Sequence, residues 1–149
     1  MPKNLYNLAL ENNNLASTFG LELLRDILIP DILGEDNHIA YWAGKKLARD
    51  FALAKDEELP IFFKNANWGI LTRTKHKKGK QYFSLTGDIV ALRLNNNPDA
   101  DFSLEAGFLA ATIEQQIGFV TEAIIEKRTK DTIEFFVQVD LHDPLDLAE

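Results

Sequence analysis

From Ile133 to Leu141 every second residue is apolar: Ile133, Phe135, Val137, Val139 and Leu141. Five apolar residues at period two describe a strand with one face in a core and the other towards water. The chain must therefore hold a sheet, and some other part of it must supply the cover. Arg128–Asp131 reads as the polar turn before this strand, and Gly118 at the end of a helical stretch argues for a partner strand over residues 119–126. A second hairpin is expected over Ile70–Lys75 and Lys80–Thr86, joined by His76-Lys77-Lys78-Gly79.

The cover is written at the helical period. Phe19, Leu23 and Ile27 recur every four residues with Leu24 and Leu28 beside them, which predicts a helix from about Leu15. Pro30 should kink or end that helix, because it lacks the amide donor and crowds the preceding turn. Asp36 or Asn37 should cap a helix reaching Phe51, with Ile39 or Tyr41, Ala43, Leu47 and Phe51 on its buried stripe and Trp42 at the edge. A short helix follows over Glu57–Ala66, with Pro60 in its first turn. Residues 88–94 suit a helix better than a strand, and Asn95–Asp99 suits a loop. Asp101 caps a helix with Leu109, Ile113 and Ile117 in a row and Gly118 as its stop. Residues 1–14 are polar and read as a loose N-terminal arm, and the acidic residues after Pro144 as a frayed end. Helices, hairpin, helix, hairpin make an α+β fold: a helical layer on one face of a twisted antiparallel sheet, in one domain over residues 1–149.

The 149 residues are 46% hydrophobic and 26% charged, which is globular rather than disordered. A net charge of −7 disfavours a duplex-binding role, since phosphate has to be met by clustered cations. The absence of cysteine removes disulfide, thiolate-metal and thiol chemistry and suits a reducing cytoplasm. No apolar stretch approaches the roughly 20 residues of a spanning helix. No signal sequence is evident, so the expected location is the cytoplasm.

Catalytic patterns do not assemble. His38, His76 and His142 fall at a helix start, a hairpin tip and a strand end, with no ligand partner at metal spacing. Ser17, Ser84 and Ser103 are the only serines, and none lies in a nucleophile elbow. Gly79 and Gly87 are isolated, so no phosphate loop is formed. The reading is non-enzymatic, with no cofactor and no metal. The basic run Arg73 to Lys80 could grip an acidic partner, but it equally guards a hairpin edge against strand pairing. Gly107, in the middle of the helix after Asp101, costs about 1 kcal/mol relative to alanine. Close backbone approach, most simply by the sheet, should offset that cost, and Gly44 marks a second thin spot suited to a helix–helix contact.

Four motifs carry a family resemblance: the stretch from Leu24 through Arg25, Asp26 and Pro30 to Gly34; Tyr41-Trp42-Ala43-Gly44-Lys45-Lys46-Leu47-Ala48; Phe63-Lys64-Asn65-Ala66-Asn67-Trp68-Gly69; and Phe102 to Ala110. Together they resemble the YslB family of Gram-positive bacteria. That family in turn looks like the four-vinyl-reductase domains and the small TRAPP trafficking subunits. The wider group also takes in haem-based nitric-oxide sensors. The resemblance implies a ligand-binding superfamily, dimerisation through helices and an apolar pocket. The cysteines common in the wider group are missing here, which counts against a metal-, haem- or lipid-bearing version.

The resulting expectation is a small binding module with an apolar cleft between the helices and the sheet. Trp42, Trp68, Leu104, Glu105, Gly107 and Phe108 are the expected lining, and a small apolar molecule the expected ligand. A homodimer is expected through the Leu24/Leu28 side of one helix and part of Ala43–Leu47. The alternatives are a protein-interaction adaptor whose cleft is filled by its own side chains and an enzyme of unassigned reaction.

Overall fold

The structure is a computed structural model that describes residues 2–11, 17–34 and 36–145. Its helices are α1 (Pro2–Glu11), α2 (18–33), α3 (Asn37–Phe51), α4 (Glu58–Asn65), α5 (Asp88–Asn96) and α6 (Ser103–Ile117). The strands β1 (Ile70–Lys77), β2 (Lys80–Thr86), β3 (Phe119–Arg128) and β4 (Ile133–Pro144) form one antiparallel sheet in the order β1-β2-β4-β3. The strand with the clearest alternation, β4, is thus central. Phe83 stands opposite Phe135 and Leu85 opposite Ile133, and α6 packs on β3 and β4 while α5 approaches β2; Phe108, Leu109 and Ile113 of α6 are buried.

Both hairpins, the α5 helix and the stop at Gly118 follow the sequence reading. Asp36 caps α3 by accepting from the His38 amide at 3.0 Å. Asp101, expected as the cap of α6, stands one residue before the actual N-cap, Phe102, and accepts from the amide and hydroxyl of Ser103.

Four features differ from the sequence expectations. Residues 2–11 form a helix rather than a loose arm; Tyr6 anchors it, packing on Phe51 and Phe62 and accepting a hydrogen bond from Asn65. Residues 12–14 of that arm, the expected helix start at Leu15 and the acidic end over 146–149 lie outside the described residues. Pro30 neither ends nor breaks α2. Residues Leu23–Leu28 form a π-helical segment, in which the Ile29 amide reaches back five residues to the Leu24 carbonyl. The wider turn relieves the crowding that a proline ring imposes on an α-helical turn, and the helix runs on to Leu33.

The other two differences concern which faces are buried. On α3 the buried row is Ala40, Gly44 and Ala48, while Ile39, Ala43 and Trp42 are exposed. The reason is backbone proximity: a Cβ on Gly44 would collide with the Leu104 carbonyl and one on Gly107 with the Tyr41 carbonyl. Only small side chains permit that crossing. Gly107 therefore packs against α3 rather than the sheet. On α2 the Phe19–Leu28 stripe faces outward. No residue of 18–33 is fully buried, and Phe19 and Ile32 are 72% and 76% exposed. The face turned to the body of the protein carries Glu22, Arg25 and Asp26 instead.

Candidate functional site

Those inward charges meet two others. Arg93 lies on the buried face of α5 beside Val90 and Leu94, and Glu105 lies in the first turn of α6, fully buried. Arg25 donates to both oxygens of Glu105 at 2.8 and 3.0 Å through Nη2. Arg93 donates to Asp26 from Nε and Nη2 at 2.9–3.2 Å, to Glu105 from Nη1 at 3.3 Å, and to the Asp101 carbonyl at 2.7 Å. Its guanidinium also stacks 4.1 Å over the Phe102 ring. Buried charges of this kind persist only when paired and hydrogen-bonded, and here the pairing joins three helices. The π-segment has a part in this. Its wide turn brings successive residues nearer in azimuth, so that Arg25 and Asp26 both face inward.

A fifth group sets the charge balance. Burial first, then the hydrogen bond and negative charge of the Asp26 carboxylate, push Glu22 up to about 7, against the pull of Arg93 and Arg25. Burial would raise Asp26 as well, but its hydrogen bonds with Arg93 and Glu22 and the charges of both arginines hold it below its ordinary value. With Glu22 protonated, two carboxylates face two guanidiniums.

Beside this cluster a cleft of about 260 Å³ opens between α2, α3 and the start of α6. Ile29, Pro30, Leu33, Ile39, Ala40 and Leu104 form most of its wall, and its polar lining is Arg25, Asp36 and Asp101. Arg25, Ile29 and Leu33 are spaced by four and so share one side of α2.

The expected site residues fall in several places. Leu104 lines the cleft. Glu105 lies behind it in the ion cluster, not on its wall. Gly107 is at the α3–α6 crossing. Trp68 and Phe108 belong to a packed aromatic group in which Phe62 stacks on Phe108 at 4.5 Å and Trp68 contacts both at 5.6 and 5.3 Å. Trp42 is 71% exposed on the outer side of α3. Arg25, Asp26 and Arg93 were not foreseen, although Arg93 signals itself as a charge spaced with Val90 and Leu94 on an apolar helix face.

Elsewhere, Arg73 of the basic hairpin is committed to structure, donating to Asp56 at 2.5 and 2.8 Å and to the buried Gln81. Lys75, Lys77, Lys78 and Lys80 are exposed. His38, His76 and His142 are all exposed, and no cluster of metal-ligating side chains occurs among the described residues. Among those residues no helix is long and apolar enough to cross a membrane.

The family model described as protein of unknown function (DUF2507) matches residues 18–138, from the first residue of α2 to the middle of β4. The chain belongs to the DUF2507 family. The uncharacterized protein YslB of Bacillus subtilis (strain 168) is 40% identical over 131 residues, covering 87% of this chain and 88% of its own. The fold is also that of a vinyl-4-reductase family protein from Methanocaldococcus jannaschii, with a TM-score of 0.58 at 21% identity over 82% of this chain and 80% of that one. The phenol-responsive sensory domain of the transcription activator PoxR, crystallised with phenol, gives a TM-score of 0.57 at 12% identity, covering 84% of this chain and 75% of that one. The DUF2507 fold is thus shared with a domain whose structure holds a small aromatic molecule.

Proposed function

We propose that this protein is a non-enzymatic small-molecule-binding module whose ligand occupies the cleft between α2, α3 and α6. The observation that carries the reading is the cleft itself: an apolar wall closed by a few fixed polar groups, as ligand sites are built. Its volume, about 260 Å³, lies just below the roughly 300–1,000 Å³ of pockets for drug-sized molecules, so the ligand is a single ring or a short branched chain. The likeness to a phenol-responsive domain supports the same reading. Of the residues expected to line the site, Leu104 does so directly, and Glu105 acts through Arg25.

Native mass spectrometry of the freshly purified protein tests this. The wild type should carry an extra mass of a few hundred daltons or less, and Leu104→Trp, which fills the cleft, should not. A bare wild type that also fails to bind any member of a small aromatic library in a saturable way would refute the proposal.

A second copy of the chain is the proposed partner. Phe19, Leu23, Leu24, Ile27, Leu28, Ile29 and Ile32 on α2, with Ile39 and Trp42 on α3, are all more than a third exposed. Monomers rarely leave so much large apolar surface together, and a twofold-symmetric contact is the commonest way to cover it. Light scattering at tens of micromolar should report a dimer in the cytoplasm-like conditions proposed for this cysteine-free chain; a monomer would refute the assembly without touching the cleft.

A further inference from the structure

We infer that the cleft selects a small apolar molecule with a cationic, hydrogen-bond-donating head, a primary ammonium ion on a ring or short hydrocarbon body. This rests on the cleft reading above and adds the chemistry of the head group.

The polar lining decides it. Asp36 and Asp101 both face the cleft, and each spends only one carboxylate oxygen on the protein. Asp36 Oδ1 accepts from the His38 amide at 3.0 Å and lies 3.2 Å from the His38 ring. Asp101 Oδ1 accepts from the Ser103 amide at 3.0 Å and its hydroxyl at 2.6 Å. Neither Oδ2 accepts a hydrogen bond from the described residues. The third polar group, Arg25, is already neutralised from behind by the buried carboxylate of Glu105, whose side chain is 0% exposed.

The surrounding charges point the same way. Glu22, Asp26, Asp36, Asp101 and Glu105 outnumber Arg25 and Arg93, and they still do so with Glu22 protonated. The His38 ring is 91% exposed and reaches Asp36 from the solvent side. An anion entering here would face that excess. Of Arg25 it would find only Nε and Nη1 free of bonds to the described residues, since Nη2 is held by the buried Glu105, and it would meet them beside the Asp36 and Asp101 carboxylates. A neutral acceptor would leave both Oδ2 atoms unspent. An ammonium group supplies three donors and a charge of the right sign, while its hydrocarbon body lies against Ile29, Leu33, Ile39 and Leu104.

Benzylamine, benzyl alcohol and benzoate share one ring and differ in the head, so titration of each by calorimetry or ligand-observed NMR at neutral pH separates the questions. Benzylamine should bind at least tenfold tighter than benzyl alcohol, and benzoate should show no saturable binding. Asp101→Asn and Asp36→Asn should each shrink the preference for benzylamine over benzyl alcohol, read as the ratio of the two affinities measured on the same variant. Leu104→Trp should abolish binding of both. Benzyl alcohol or benzoate binding as tightly as the amine, with sensitivity to Leu104→Trp, would overturn the head-group inference and leave the cleft reading standing. Failure of all three probes to bind would overturn both.

Discussion

A single methyl group on Gly107 probes the tightest point of the molecule. A Cβ there would lie well inside contact distance of the Tyr41 carbonyl and 3.2 Å from the Lys45 amide nitrogen; one on Gly44 would meet the Leu104 carbonyl and, at 2.9 Å, the Phe108 amide nitrogen. Each obstacle is backbone, so relief requires α3 and α6 to separate. Against this, alanine is favoured over glycine inside a helix by about 1 kcal/mol. Overpacking of a fixed interior costs about 1–3 kcal/mol and occasionally more. Separation would also loosen Ala48, Ala110 and Ala111, all 0% exposed, which places Gly107→Ala towards the upper end. The expected net loss is about 2–3 kcal/mol, which at roughly 2–4 °C per kcal/mol lowers Tm by about 4–12 °C. Gly44→Ala should behave alike, and the double variant should lose less than the sum, because the first methyl opens room for the second. Urea and thermal unfolding followed by far-UV circular dichroism measure all three. A Gly107→Ala protein that melts at or above the wild-type temperature would refute the backbone crossing, and strictly additive losses would refute its being shared.

Three further outcomes follow from the charged cluster and its neighbours. Arg93→Met leaves Asp26 and Glu105 facing each other without their shared cation and should cost about 3–5 kcal/mol in urea unfolding; a loss below about 1 kcal/mol would show that the cluster does not hold α2. Because Glu22 is raised from 4.5 to about 7, the folded chain binds this proton more tightly than the unfolded one. Its contribution is therefore fully present below about pH 4.5 and fades as pH rises through 7. Solvent screening keeps the effect small, and Glu22→Gln should flatten that decline; an unchanged slope in pH-dependent melts would reject it. The Tyr41 hydroxyl donates to Glu122 at 2.7 Å and accepts from the Ala123 amide at 3.0 Å. Tyr41→Phe should cost about 1 kcal/mol and speed hydrogen exchange at Ala123; unchanged exchange there would count against the bond.

The sheet and most helix boundaries were legible because they are written in local signals: alternation in β4, Asp36 and Asp101 before α3 and α6, and Gly118 after α6. The inward faces of α2 and α3 were not. Apolar periodicity assumes that the greasiest stripe is the buried one. On α3 the backbone crossing at Gly44 excludes large side chains from the buried row, and on α2 the ion cluster turns the greasy stripe outward. The site was partly legible for the same reason. Leu104 and Glu105 lie in a helix whose start the sequence marks. Arg25, Asp26 and Arg93 acquire their meaning only when α2, α5 and α6 meet, a pairing across 67 residues between Asp26 and Arg93 and 80 between Arg25 and Glu105.

The π-turn of α2 makes chain length itself a structural quantity. Its wide ring accommodates one residue more than an α-helical turn would, so deleting any one residue from Leu23–Leu28 would let the turn close into ordinary helix. Everything on the N-terminal side would then keep nearly its present facing relative to Ile29 and Leu33, because the wide ring is what absorbs the extra residue. Glu22 would stay beside the cluster, provided the residue removed is neither Arg25 nor Asp26. A single-codon deletion within this turn is thus absorbed, whereas one elsewhere in the helix would swing every earlier residue by roughly 100°.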